Sequence, residues 1–87
     1  NDIRIMLKPN SKIVTKDDNS FDIEGMINPT FQNLGSADVV ILGNKLAQDE
    51  SFPMNTNGEE LSGSITITFL GTGDKKIICN YFKRVKC

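Results

Sequence analysis

The chain has 87 residues, with ten basic and eleven acidic side chains, two cysteines, no histidine and no tryptophan. A chain this short buries only about 60–65% of its unfolded surface, so its core is thin, while 38% hydrophobic and 24% charged residues are the proportions of a folded domain and not of a disordered tail. The net charge of −1 speaks against nucleic acid as a partner, and the lack of histidine removes the commonest general base near neutral pH along with Ser–His and Cys–His nucleophile pairs.

The hydrophobic pattern has a period of two along most of the chain, which predicts strands. Asp2 to Leu7 places Ile3, Ile5 and Leu7 on one face until Pro9-Asn10 breaks the run. Lys12 to Lys16 reads as a short strand around Ile13 and Val14, and Asp17-Asp18-Asn19-Ser20 as a turn. Ser20 to Ile27 alternates Phe21, Ile23 and Ile27 against Asp22 and Glu24. Asn33-Leu34-Gly35-Ser36 is a turn signal, and Ala37 to Leu42 is a strand with apolar residues on both faces, closed by Gly43-Asn44.

Asn44 to Glu50 is the only stretch that could hold a single helical turn. Glu50 to Met54 predicts a short strand that Pro53 confines to a sheet edge. Ser64 to Leu70 has the clearest alternation, Ile65, Ile67 and Phe69 against Thr66 and Thr68. Gly71-Thr72-Gly73-Asp74 then suggests a tight reversal into Lys75 to Val85, so these last two strands are expected to form a hairpin. In the final strand Ile77, Cys79, Tyr81 and Val85 share one face, interrupted by Lys83. Apolar residues on both faces of its first half predict a central position there and an exposed edge later. Seven or eight short strands with a turn about every ten residues are the pattern of a small all-β domain, an antiparallel sandwich spanning 1–87.

Several motifs fail on context. Asp17-Asp18-Asn19-Ser20 matches only two steps of a calcium loop before Phe21 interrupts it. Gly71-Thr72-Gly73-Asp74-Lys75-Lys76 has a strand after it where a phosphate loop needs a helix N-terminus. The acids sit mostly in loop-like runs, which is the pattern of solvated turns and not of a paired-carboxylate cleft. Two cysteines without histidine are too few ligands for structural zinc. Cys79 reads as a small apolar core residue, Cys87 as a free or intermolecular thiol, and the pair points to a reducing compartment and not to a stapled secreted scaffold. Neither a cofactor nor an enzyme is expected. No apolar run approaches the roughly 20 residues that cross a membrane.

The charges are unevenly distributed. Asp38 to Glu60 holds Asp38, Asp49, Glu50, Glu59 and Glu60 against Lys45 alone, whereas Asp74 to Cys87 holds Lys75, Lys76, Lys83, Arg84 and Lys86 against Asp74 alone. The plain reading is two solvated surfaces. The sharper one is a pair of complementary faces for head-to-tail association, with Lys75, Lys76, Lys83 and Arg84 on one side and Glu50, Glu59 and Glu60 on the other.

The segments Asn33–Leu46, Glu50-Ser51-Phe52 and Ser64–Phe69 (a turn with Asn and Gly, an apolar strand, a polar loop before the short edge strand, and the Thr-Ile alternation) are similar to a layout found in small immunoglobulin-like β-modules. They resemble short β-sandwich proteins of tailed-phage particles and related bacterial surface modules. That resemblance implies an immunoglobulin-like sandwich and a structural subunit, such as a virion component, that acts by association with a protein partner or with copies of itself. The alternative is a ligand- or carbohydrate-binding adhesin-type module cut from a longer surface protein.

Overall fold

The computed structural model describes residues Ile5–Lys86. Its regular elements are all strands: β1 (Ile5–Val14), β2 (Asp18–Asp22), β3 (Ile27–Asn33), β4 (Asp38–Ile41), β5 (Asn44–Leu46), β6 (Ser51–Pro53), β7 (Ser64–Leu70) and β8 (Ile77–Lys86). They form two four-stranded antiparallel sheets in the orders β1-β8-β3-β6 and β2-β7-β4-β5. The all-β sandwich expected from the two-residue periodicity is what the chain adopts.

The connectivity corrects the immunoglobulin-like expectation. The first strand pairs with the eighth, the second with the seventh, the third with the sixth and the fourth with the fifth. The chain therefore behaves as one long hairpin, with its tip at β4–β5, wound so that successive rungs fall in opposite sheets. That is the winding of an eight-stranded jelly roll. An immunoglobulin sandwich instead groups its first, second, fourth and fifth strands in one sheet.

The same winding overturns the expected final hairpin. β7 lies between β2 and β4, while β8 lies between β1 and β3 in the other sheet. The intervening segment, 71–76, crosses between sheets and packs on the turn at 34–37. Leu34 N and Gly35 N donate to Lys76 O at 2.9 and 3.0 Å, and Ala37 N donates to Asp74 O at 2.9 Å. Asp74 N donates to Ser36 Oγ at 2.8 Å. Glycine is required where the two segments touch. A Cβ at Gly35 would stand 2.9 Å from Lys76 N, and one at Gly73 would stand 2.8 Å from Ala37 N. Gly73 thus serves a close backbone approach, not the tight reversal that its sequence neighbours suggest.

Three further elements differ from expectation. β1 runs unbroken through Pro9-Asn10, because an edge strand tolerates proline. β3 crosses Asn28-Pro29, where the sequence shows no strand signal. A register shift between Ile27 and Thr30 absorbs the proline, with Asn28 at φ 48°. Asn44–Glu50 holds strand β5 and a turn, with no helical turn. Pro53 does lie in an edge strand, β6.

The core lies between the sheets. Phe31 of β3 meets Phe21 of β2 edge-on at 5.9 Å and stacks on Phe52 of β6 at 6.4 Å. Ile77, Cys79 and Tyr81 of β8 face Val39, Ile41, Ile65, Ile67 and Phe69 of the second sheet, and all are buried. The alternation predicted for 64–70 and the face predicted for the first half of 77–85 are both present. Cys79 is a buried free thiol, as expected, and its burial pushes the thiol pKa up to about 12. Cys87 lies outside the described residues.

One polar side chain, Asn33, is fully buried in this core. Its Nδ2 donates to Ala37 O at 2.8 Å and Leu46 O at 3.0 Å, and its Oδ1 accepts from Gly35 N at 3.1 Å. Its backbone closes the same corner, donating to Glu50 O and accepting from Asp49 N. This one side chain ties the end of β3 to the start of β4 and the end of β5.

Candidate functional site

The part of the molecule that its own core does not account for is the β1/β8 ribbon. These two strands pair along their whole length, from Ile5 opposite Lys86 to Val14 opposite Ile77. β3 accompanies β8 only from Ile77 to Phe82. The last four pairs, 5–8 with 83–86, therefore continue as a two-stranded ribbon with no third strand among the described residues. The molecule is correspondingly long, 55 × 21 × 19 Å, and its radius of gyration of 14.2 Å exceeds the ~12 Å of a compact chain of this length.

Register assigns the ribbon's faces. Directly opposed residues share a face, so the core-facing side carries Val14/Ile77, Lys12/Cys79, Asn10/Tyr81, Lys8/Lys83 and Met6/Val85 in succession. Of this series Val14, Ile77, Cys79 and Tyr81 are buried, Lys12 is half-buried and Asn10 is exposed. Past Tyr81 the apolar pair Met6 and Val85 is 51% and 38% exposed. The outer side carries Pro9/Phe82 and Leu7/Arg84, with Leu7 49% and Phe82 40% exposed. Both faces of the ribbon thus present apolar side chains to solvent.

The ribbon is also strongly basic. Residues 5–8 and 83–86 include Lys8, Lys83, Arg84 and Lys86 and no acid. Lys8 and Lys83 are directly opposite each other, an arrangement that like charges disfavour. Arg84 Nη2 donates to Gly58 O at 2.8 Å, a backbone carbonyl and not a carboxylate. The ion pair present among the described residues, Lys45 Nζ to Asp38 Oδ2 at 3.5 Å, lies in the other sheet.

The fold does not collect the proposed contact residues into two opposed faces. Lys75 and Lys76 lie in the crossing segment at one end of β8, seven to nine residues or about 23–30 Å from Lys83 and Arg84 at 3.3 Å per residue. Glu50 is at the Lys76 end, since its carbonyl accepts from Asn33 N beside the Leu34–Lys76 contact. Glu59 and Glu60 follow Gly58, at the base of the ribbon, near Arg84. Each end of the molecule holds both signs, and the basic ribbon stands out from this mixture as a separate feature. Met6, Leu7, Phe82 and Val85 were not singled out from the sequence, because an alternating strand gives no sign of where its neighbours stop.

Elsewhere the acidic run expected to be a turn enters strand β2 at Asp18, and its carboxylates have a structural role. Asp17 Oδ1 accepts from Phe69 N at 2.9 Å, and Asp18 Oδ1 from Ser20 N at 2.9 Å. Lys12 Nζ stands 5.5 Å from the Phe21 ring centroid and covers the open side between β1 and β2. No group of three or more His, Cys, Asp or Glu converges among the described residues, and no helix there is long and apolar enough to cross a membrane. Comparisons of the chain with protein-family models, curated proteins and solved structures find no match.

Proposed function

We propose that this chain is a non-enzymatic structural or assembly module that works by protein–protein association, with the β1/β8 ribbon as its contact element. The observation that carries the reading is the ribbon itself, with exposed apolar residues on both faces and strand edges that pair with no other strand among the described residues. Such an edge is a template for another chain unless it is blunted. Pro9 in β1 is the kind of residue that blunts the outer edge, while β8 beyond Phe82 has no proline and is guarded by the charges of Lys83 and Arg84, which disfavour any added strand that does not bring acids.

The jelly-roll winding is shared by viral capsid domains and lectins, which supports a virion component by analogy of fold alone. A carbohydrate-binding role is less well supported. The single tyrosine, Tyr81, is in the core, and there is no tryptophan to form an aromatic platform. Sedimentation equilibrium across a wide concentration range, with co-sedimentation against particle and cell-envelope fractions, tests the proposal. Concentration-dependent mass, or saturable co-sedimentation that Met6→Ser with Val85→Ser abolishes, is expected. A strict monomer that binds none of these fractions refutes it.

A further inference from the structure

We infer that the free side of β8 at 83–86 is a strand-accepting edge for an acidic, extended segment of a partner protein. This rests on the association reading above and names the partner's chemistry. In an antiparallel sheet, half of a strand's N–H and C=O groups point to each neighbour. Up to Phe82, β3 takes the groups that β1 does not. From Lys83 onward no strand among the described residues does, and the four-residue stretch of about 13 Å where β3 would otherwise continue is bordered by loops, with Arg84 Nη2 donating to Gly58 O at 2.8 Å and Gly25 beside the Lys83 side chain.

The side chains bordering that stretch define what fits it. On the core-facing side a segment laid beside β8 would run past Lys83, which has Lys8 directly across from it, and then past Val85 beside Met6. On the other side it would pass Arg84. A carboxylate next to Lys83 would offset the Lys8/Lys83 repulsion, and a second next to Arg84 would add a charge-assisted hydrogen bond. An apolar residue next to Val85 would cover the exposed Met6/Val85 pair. The pattern is two adjacent acids followed by an apolar residue, in extended conformation, with backbone bonds giving affinity and side chains giving selectivity.

Two other anionic partners fit less well. Burying the ribbon in a bilayer would take its unpaired backbone groups into hydrocarbon without partners, at several kcal/mol each. Nucleic acid would meet the lysines but leave Met6, Val85 and Phe82 uncovered. A protein strand satisfies backbone, charge and apolar surface together.

The test uses the whole chain and a blocked, fluorescein-labelled hexapeptide containing two adjacent glutamates flanked by valine and threonine. Its counterpart has lysine at the glutamate positions. Fluorescence anisotropy is expected to show binding of the glutamate peptide only, weakened by added salt. Lys83→Glu is expected to weaken it by about tenfold or more, and Lys8→Glu with Lys83→Glu to reverse the preference toward the lysine peptide. Amide hydrogen exchange is expected to gain protection within 83–86 and not along β5. Binding that leaves those amides unprotected, or that Lys83→Glu does not change, overturns the inference. So does a chain that self-associates or co-sediments with a particle but ignores the peptide, in which case the association reading survives. Tighter binding to phosphatidylserine vesicles or to duplex DNA than to the peptide also overturns it. A monomer inert in every arm removes both readings.

Discussion

Replacing Asn33 is expected to destabilise this protein more than any change on its surface. The side chain makes three hydrogen bonds inside the core, two donated to carbonyls of Ala37 and Leu46 and one accepted from Gly35 N. Asn33→Ala removes all three and leaves their partners buried. At ~0.5–1.5 kcal/mol each, the loss is about 3 kcal/mol. A domain of this length has ~4–13 kcal/mol in total, so the variant forfeits from about a quarter to most of its stability. Asn33→Asp preserves shape but puts a carboxylate oxygen where the amide donated. That oxygen would face two carbonyls, so the loss at neutral pH exceeds that of Asn33→Ala.

Acidity supplies the internal control for this pair of variants. The buried carboxyl introduced by Asn33→Asp is more easily protonated folded than unfolded, so the folded state binds the extra proton. Its stability deficit is therefore smallest below the ordinary carboxylate range, where a proton restores one donor, and grows as pH rises through that range. Urea unfolding followed by the emission of Tyr81, the single tyrosine in a chain without tryptophan, and by far-ultraviolet circular dichroism, measures both effects. A deficit below ~0.5 kcal/mol for Asn33→Ala, or a pH-independent deficit for Asn33→Asp, would refute the role assigned to this side chain.

Other perturbations follow from the same geometry. Leu42 and Gly43 form the β4–β5 turn with φ of 50° and 78°. This left-handed conformation costs a leucine ~1–2 kcal/mol, so Leu42→Asn is expected to raise the urea midpoint by about 1 kcal/mol of stability, and an unchanged midpoint would count against it. Gly73→Ala must displace the backbone at Ser36–Ala37 and is expected to destabilise by more than the ~0.5–1 kcal/mol that glycine-to-alanine changes usually gain or lose, read by thermal unfolding. The Cys79 thiol, raised from 9.0 to about 12 by burial, stays protonated in the folded state after the unfolded chain has ionised. The contribution of this thiol to stability is thus constant below pH ~9 and declines as pH rises toward 12. In a Cys87→Ser background, alkylation of Cys79 is expected only at the rate of unfolding, and rapid labelling of folded protein at pH 8 would contradict its burial.

Strand existence and facing are local properties, and much of them was legible. Ile65, Ile67 and Phe69 had to turn one way because side chains alternate on a pleated strand, and burial took that side. The same rule placed Ile77, Cys79 and Tyr81 on one face of β8, and proline chemistry placed Pro53 at an edge. Pairing was not legible. Gly71-Thr72-Gly73 reads locally as a hairpin turn, yet in the folded chain it is a bridge between sheets. What decides this is the contact of Gly35 and Gly73 with backbone far away in sequence. β3 escaped notice because Pro29 hides a strand whose bulge exists only against β8, and Asn33, one polar letter in a turn, gains its role from three backbone partners that only folding brings together.

By itself, then, the amino-acid sequence determined an all-β chain of short strands, their apolar faces and an imbalance of charge, because period, propensity and composition act over neighbouring residues. Tertiary structure alone decided the jelly-roll order, the burial of Asn33, and the place where β8 outruns β3 to leave a basic ribbon open at its edge. Those features depend on which strand lies beside which and where each one stops. That is a matter of long-range packing, which local patterning does not encode.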